Sequence, residues 1–249
     1  MTRYLLIVLL YTINVFSQAG TSYKVEYNYK NIGLNENEKL ELRLNKSDAI
    51  SYFPGVQKSL DTVMVDQEEN ISFSVKPNDS IGRQYYFNGK TKQIVFREFV
   101  GISGKFLPVI VDEKIPNFNW QLKDDVKLIN KMTCNKAIGK FRGRTYEVWY
   151  TKEIPTAFGP WKFNGLPGLV LEAKSTDNNI FIQVAKISTL TASVIKEPAK
   201  GKKITLDQYV TYKNNEVNDF IDRLKAKLPR GAQISAQVGE NYDLEKSFE

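Results

Sequence analysis

Histidine is missing from this chain of 249 residues, and cysteine occurs once. Without histidine there is no Ser-His-Asp or Cys-His catalysis, no imidazole ligand for zinc and no imidazole proton shuttle. Cys134 has no partner for an intramolecular disulfide, so stability has to come from an apolar core, which a chain this long can build. Cys134 itself reads as a small buried apolar residue, not a nucleophile. No metal and no cofactor is expected; what remains open is carboxylate chemistry or an oxygen-ligated calcium site. Two adjacent acidic pairs, Asp124-Asp125 and Glu68-Glu69, would point to opposite sides of an extended chain and read as solvated turn residues.

Long apolar runs are scarce as well. Arg3 precedes a mostly apolar, uncharged stretch from Tyr4 to Phe16, followed by small Ser17 with Val15 two positions before it. That order is a signal peptide, residues 1–17, cleaved between Ser17 and Gln18. The stretch is shorter than the roughly 20 residues a membrane span needs. The mature chain is therefore expected to be exported, without a transmembrane segment, to the periplasm, the outer membrane's surface or the medium. No linker, repeat or low-complexity tract divides 18–249, so it reads as a single β-rich domain.

Positive charge is in excess, with 35 Lys and Arg against 28 Asp and Glu, or +7; removal of Arg3 leaves 7 − 1 = +6. Between Val126 and Tyr146 lie Lys127, Lys131, Lys136, Lys140, Arg142 and Arg144, with no acid among them. Such a run suits peripheral contact with an anionic membrane surface. Nucleic acid is not an expected partner, because no binding motif accompanies the charge.

What the sequence does have is alternation. Tyr23–Tyr29, Leu40–Leu44 and Ile71–Val75 place apolar residues at every second position, the pattern of strands with one buried face, and Ala49–Phe53 reads as a further strand stopped by Pro54-Gly55. From Gln57 to Glu69 the pattern is weak and fits a loop or short helix. Asn88-Gly89 between Gln84–Phe87 and Thr91–Val100 predicts a hairpin with φ > 0 at both central positions. Pro108 marks Lys105–Val111 as an edge or bulged strand. Lys140, Arg142 and Arg144 share one face of an extended chain that continues to Tyr150. A further hairpin turns at Ser175–Asn179, Ser188–Ile195 extends the meander, and Glu197–Lys203 reads as a polar loop.

Thr205–Leu228 departs from this period. Leu206, Tyr209, Val210, Val217, Phe220, Ile221, Leu224 and Leu228 form a helical stripe, Thr205 and Gln208 make a capping box, and Pro229 ends the helix. The mostly charged tail from Asn241 to Glu249 is expected to fray. The fold class is thus mainly β, an antiparallel curved sheet or incomplete barrel with one long C-terminal helix packed on one face.

Two prolines and three glycines crowd Gly159-Pro-Trp-Lys-Phe-Asn-Gly-Leu-Pro-Gly168, which leads into a strand at Leu169–Ala173. Gly165-Leu-Pro-Gly168 predicts a type II turn with Gly168 at φ > 0, and Trp161 and Phe163 share one face. A structural corner is the preferred reading over a binding loop. At Gly165-Leu-Pro-Gly-Leu-Val170 the chain resembles the GLPGLI family of exported proteins of Gram-negative Bacteroidota, with Val170 in place of the final Ile. Cys134–Ala137, Phe141–Arg144, Trp149-Tyr150, Ile154-Pro155, Gly159–Trp161 and the closing Leu244–Glu249 also resemble that family. The resemblance implies export and carries no catalytic residue.

Together these readings favour a non-enzymatic envelope protein that binds or assembles with a partner. Its candidate contacts are Trp161, Phe163, Leu166 and Pro167, with Lys140, Arg142 and Arg144 for anionic groups. Two other functions fit the composition: a periplasmic carrier of a lipid or other apolar ligand, and a carboxylate-only hydrolase acting on envelope glycans. No catalytic residue is singled out.

Overall fold

The computed structural model describes residues 21–58, 60–65, 71–102, 105–191, 194–227 and 243–248; for 60–65, 71–76, 217 and 219–227 it describes the backbone alone. The signal peptide and its cleavage point lie outside the described residues, as do Leu228 and Pro229. The side chains of Val217, Phe220, Ile221 and Leu224, on which an apolar-ligand pocket beside the helix depends, are outside them too.

Among the described residues, fourteen strands and one helix follow in chain order: β1 (Ser22–Asn31), β2 (Glu36–Leu44), β3 (Asp48–Phe53), β4 (Leu60–Val65), β5 (Ile71–Lys76), β6 (Arg83–Asn88), β7 (Gln93–Ile102), β8 (Lys105–Lys114), β9 (Gln121–Ile129), β10 (Met132–Phe141), β11 (Arg144–Thr151), β12 (Leu169–Ser175), β13 (Ile180–Leu190), β14 (Lys202–Ile204) and α1 (Leu206–Lys227). Twelve strands form one sheet in the order β14-β8-β7-β6-β3-β2-β1-β13-β12-β11-β10-β9, and β4 pairs with β5 apart from it. Its outer strands, β14 and β9, do not pair with each other, so the sheet is open. Every pairing within the large sheet is antiparallel except β14 on β8. Register shifts at Glu26/Tyr27, Trp149/Tyr150 and Asn135/Ala137 mark bulges, the usual means of bending a sheet.

Alternation along the strands decides the two faces. Val25, Tyr27 and Tyr29 of β1, Leu40, Leu42 and Leu44 of β2, and Tyr146, Val148 and Tyr150 of β11 are all buried on the inner side. The intervening residues carry charge to the outer side, where Glu41 meets Lys24 and Arg43, and Glu147 meets Lys136. The inner side is filled by α1, by the corner 152–168 and by the segment Asp243–Phe248. Tyr209 of α1 packs edge-on against Phe96 and Phe248, with centroids 5.2 and 5.7 Å away. The predicted capping box is present: the Gln208 amide donates to Thr205 Oγ1 at 3.2 Å, and the Thr205 amide to Gln208 Oε1 at 3.0 Å.

Several expectations are corrected. Gln57–Glu69 holds a strand, β4, whose alternation was too weak to see. Lys202 and Lys203, read as the end of a loop, belong with Ile204 to β14, which adds to β8 opposite Val109–Val111, and Pro108 falls just outside that cover. Among the described residues beyond Leu190, 191 and 194–195, the meander does not continue as strand. The hairpin at Asn88-Gly89 exists, but its loop runs from Gly89 to Lys92. Asn88 Oδ1 accepts from the amides of Lys90 and Thr91, and Lys92, not Gly89, takes positive φ. The two-residue turns with φ > 0 at both centres are Asn130-Lys131 and Arg142-Gly143. Lys140 and Arg144 therefore lie on opposite arms of a hairpin, not along one extended chain. Finally, Asp243–Phe248 does not fray; Leu244 and Glu245 are buried.

Candidate functional site

The corner begins where β11 ends. The Gly159 amide donates across the bend to the Phe163 carbonyl at 2.8 Å, and the Phe163 amide donates to the Pro160 carbonyl at 3.2 Å, so the hydrogen-bonded turn is 160–163. Trp161 sits at its centre with φ 55, an uncommon conformation for a bulky residue, and persists there because its surroundings over-determine it. Its amide donates to Ser51 Oγ at 3.0 Å, and its ring meets Phe118, Phe141, Tyr146 and Phe163. Trp120 stacks on Phe118 at 4.9 Å and donates its indole N–H to the Asn164 carbonyl at 2.7 Å. Gly139 leaves the space for that ring, since a Cβ there would lie 2.5 Å from Trp120 Cε3.

Gly165 has φ +84, whereas Gly168 is not in the left-handed region. Gly168 is required for a different reason than the one predicted: an added Cβ would come within 2.0 Å of the Thr151 carbonyl oxygen. The segment 165–168 is a bend pressed onto the end of β11, and no type II turn forms there.

Burial places the predicted contact residues. Trp161, Phe163 and Leu166 are at most 3% exposed and face the core, so they offer no surface to a partner. Pro167 and Lys140 are exposed. Arg142 and Arg144 are committed to ion pairs within the fold, Arg142 at the Arg142-Gly143 turn and Arg144 at the start of β11.

Sequence reasoning missed the residue between the two aromatics. Lys162 is 1% exposed, and its Nζ lies 2.8 Å from Glu113 Oε2 and 2.7 Å from Glu245 Oε1. Arg142 meets the other oxygen of each: Nη2 is 2.5 Å from Glu113 Oε1, and Nη1 donates to Glu245 Oε2. Two carboxylates and two cations thus close a neutral ring that joins β8, the β10–β11 turn, the corner and the C-terminal segment. One signal was available: Glu113 continues the inward alternation of Val109 and Val111, an acid where an apolar residue is due.

The C-terminal segment is gripped along its backbone as well. Lys246 and Ser247 amides donate to the Arg142 carbonyl at 2.9 and 3.1 Å, Tyr146 Oη donates to the Leu244 carbonyl at 2.6 Å, and Arg144 Nε to the Asp243 carbonyl at 3.1 Å. Arg144 and Lys246 both pair with Asp177 in the β12–β13 turn. Burial opposes ionisation of Asp177, yet bonds from Ser175 and Lys246, together with Arg144, hold its carboxyl well below the usual range.

Between this segment, α1 and β7 lies a polar cavity of about 10 Å³, room for about one water molecule. Glu98 and Asp243 both line it. Burial, aided by Asp243, pushes the Glu98 carboxyl up against the opposing Arg83 and the bond from Tyr85 Oη. Partial burial opposes ionisation of Asp243, but Lys213, Arg83 and the Leu244 amide hold its carboxyl down. Cys134 is buried, and burial raises its thiol to about 11. Among the described residues no group of three or more Cys, Asp or Glu is placed to hold a metal ion, and no helix is long and apolar enough to cross a membrane.

This architecture defines a class: a large open, mostly antiparallel sheet whose inner side is filled by a helix, a Gly/Pro corner and a C-terminal segment. Residues 142–172, which hold β11 and the corner, match the model of a family described as "Protein of unknown function (Porph_ging)". No curated protein matches. Two solved structures of PNGF-II, in different space groups, are similar in fold, with TM-scores of 0.54 and 0.52 at 13% identity. Each comparison covers 80% of this chain but only 34% and 33% of theirs, so the chain spans about a third of the length of those structures.

Proposed function

We propose that this chain is an exported protein of the cell envelope, of GLPGLI type, that binds or assembles with other proteins and does not catalyse a reaction. The observation that carries this reading is the seat of Asp243–Phe248. The inner side holds a bent peptide segment by its main chain, a buried leucine and a doubly clamped glutamate. Main-chain bonds combined with side-chain pockets are a means by which folds recognise peptide segments. The corner serves the same end through Lys162, which with Arg142 of the β10–β11 turn is paired to Glu245 of the segment and not aimed at open solvent. Lys140 and Pro167, exposed nearby, are the remaining candidates for outer contacts, and the basic excess suits an anionic membrane surface.

The test is cross-linking of the protein in its native envelope, followed by mass spectrometry of the N-terminus and of the cross-linked products. An N-terminus near Gln18 and defined protein–protein links are expected. A retained Met1 would remove the export claim, and a chain without links would remove the assembly claim.

A second reading, a carboxylate-only hydrolase of envelope glycans, is favoured by one observation. Glu98 and Asp243 face one cavity with their carboxyls shifted in opposite directions, as in an acid and its charged companion. It requires glycan cleavage by the purified chain that Glu98→Gln abolishes.

A further inference from the structure

Formal charge and free charge are distributed differently over this fold. The basic run between Val126 and Tyr146 is largely neutralised in place. Lys127 pairs with Glu172, Lys136 with Glu147, and Arg142 and Arg144 with Glu113, Glu245 and Asp177. Lys131 and Lys140 stay exposed, but they flank β10 about 30 Å apart at the rise of a strand. The segment 194–203 holds the opposite arrangement. Lys196, Lys200, Lys202 and Lys203 are exposed, and Glu197 is the one acid among 194–206. Among the described residues none of these four lysines takes part in an ion pair.

The cations sit on anchored backbone. Ile195 packs on the outer cluster of Ile50, Tyr86, Val95 and Ile110, and Pro198 is buried. The Lys200 carbonyl accepts from Arg97 Nε, and Arg97 is itself 1% exposed and forked onto Asp79 at 3.0 and 2.7 Å. Gly201 lies so close to β8 that an added Cβ would meet Ile110 Cγ1 at 3.0 Å. Lys202 and Lys203 then enter β14, the end strand of the sheet. Two apolar side chains border the same edge. Val194, next to the anchored Ile195, is 80% exposed, and Leu107, in the part of β8 that β14 leaves uncovered, is 38% exposed.

We propose that the β14 edge, formed by Lys196, Lys200, Lys202 and Lys203 with Val194, docks on an anionic lipid surface. Exposed lysines without an internal counter-charge gain most from a negative surface, and a fixed backbone presents them together. Val194 decides the kind of anion. A soluble polyanion would satisfy the lysines but offer nothing to an exposed valine, whereas a lipid headgroup layer takes in both. The inference rests on the envelope reading above, and moves its anionic contact from the run 126–146 to the opposite edge of the sheet.

The experiment is co-sedimentation of the mature chain with vesicles of phosphatidylglycerol and phosphatidylcholine in equal parts, and with vesicles of phosphatidylcholine alone. Binding to the anionic vesicles is expected, with loss as salt approaches about 1 M, where the screening length is about 3 Å. Equal binding to the neutral vesicles overturns the proposal. A lysine near such a surface contributes about fivefold in affinity. Lys200→Gln/Lys202→Gln/Lys203→Gln should therefore bind about a hundredfold more weakly than the wild type. Lys127→Gln/Lys136→Gln, whose lysines are already paired, should bind at the wild-type level. Val194→Ser should weaken binding about fivefold through lost apolar area.

Equal losses in the two lysine variants return the contact to the basic run and overturn the β14 edge. Should a variant melt early, the salt and neutral-vesicle comparisons decide on wild-type protein alone. Binding of a phosphorylated polysaccharide, equal in wild type and Val194→Ser and without vesicle binding, assigns the edge to a soluble polyanion and overturns the lipid surface. Absence of vesicle binding while envelope cross-links persist sinks the docking edge and leaves the assembly reading standing. Vesicle binding by a chain that shows no cross-links upholds the edge and removes the assembly claim.

Discussion

On the inner side of the sheet, Glu113 and Glu245 each face Lys162 and Arg142, and none of the four side chains is more than 11% exposed. On the outer side, Glu41 lies between Lys24 and Arg43, whose side chains are 32% and 44% exposed. The chemistry is the same, but the consequences differ. Outer pairs bridge strands that backbone ladders already align, and water replaces either partner at little cost. Inner charges are nearly cut off from bulk water, so each depends on the others. They tie together four segments far apart in sequence, with Glu113 and Glu245 separated by the whole of β9 to α1. The inner ring therefore specifies where the corner and the C-terminal segment sit, whereas the outer ladder is a solvated face.

The largest test of this contrast is Lys162→Met. It keeps the length of the side chain but leaves two buried carboxylates sharing Arg142. Removing one partner of a buried pair costs about 3–5 kcal/mol, read as a fall in the urea midpoint at unchanged slope. A loss below about 1 kcal/mol would put the inner ring on the footing of a surface pair and erase the distinction.

Two glycines of the corner sharpen the same contrast without charge. Gly168→Val drives a side chain into the Thr151 carbonyl and should cost about 3 kcal/mol, the upper end for forced backbone shifts. Gly165→Ala meets only the edge of Trp120, at 3.9 Å, and should cost about 1 kcal/mol for its positive φ. Thermal melts of the two variants check the order. Equal losses would mean that the bend is held by backbone angle alone and not by close approach to β11.

The pattern of inner and outer residues was legible because a strand's period of two is local: Val25, Tyr27 and Tyr29 declare their face without knowing their partners. The capping box at Thr205 and Gln208 was legible for the same reason. The role of the corner was visible in its Gly and Pro content, but its geometry was not. Whether Gly168 serves a turn or a close approach depends on Thr151, which is brought near by pairing of β11 with β12. The seat of the C-terminal segment was hidden for a related reason. Leu244-Glu-Lys-Ser-Phe248 looks like a charged tail until Lys162 and Arg142 supply its counter-charges, and those come from residues about 80 and 100 positions away, beyond any local period. The same blindness turned Trp161 and Phe163 into candidate contacts, since an aromatic pair on a loop looks alike whether it faces solvent or core.

Asp177 sits between the two regimes, with a side chain 27% exposed that pairs with both Arg144 and Lys246. Its carboxyl is held below the usual range in the folded chain, so the folded state binds its proton less readily than the unfolded one. The stability it contributes is present above the unfolded value of about 3.9 and is lost as pH falls through the lower folded value. Melting temperature should thus drop more steeply in acid for the wild type than for Asp177→Asn. Parallel acid profiles would show that the turn charge is not coupled to the tail's seat.

The smallest effect belongs to Glu41→Gln. Partial burial opposes ionisation of Glu41, while bonds from Lys24 and Arg43 lower its carboxyl. The sign is that of Asp177: the contribution is present above the unfolded value and fades as acid reaches the folded one. Its size is different, because Lys24 and Arg43 reach water and their side chains lose freedom in holding one geometry. About 0–1 kcal/mol is expected. Salt is the discriminating variable. At about 1 M the screening length falls to about 3 Å, so the difference between Glu41→Gln and the wild type should shrink toward zero. The loss in Lys162→Met should persist at the same salt, because the four side chains of the ring are at most 11% exposed and Phe96 covers Lys162. If urea midpoints for both variants respond to salt alike, the inner ring is open to solvent, and the contrast between the two faces fails where it is easiest to measure.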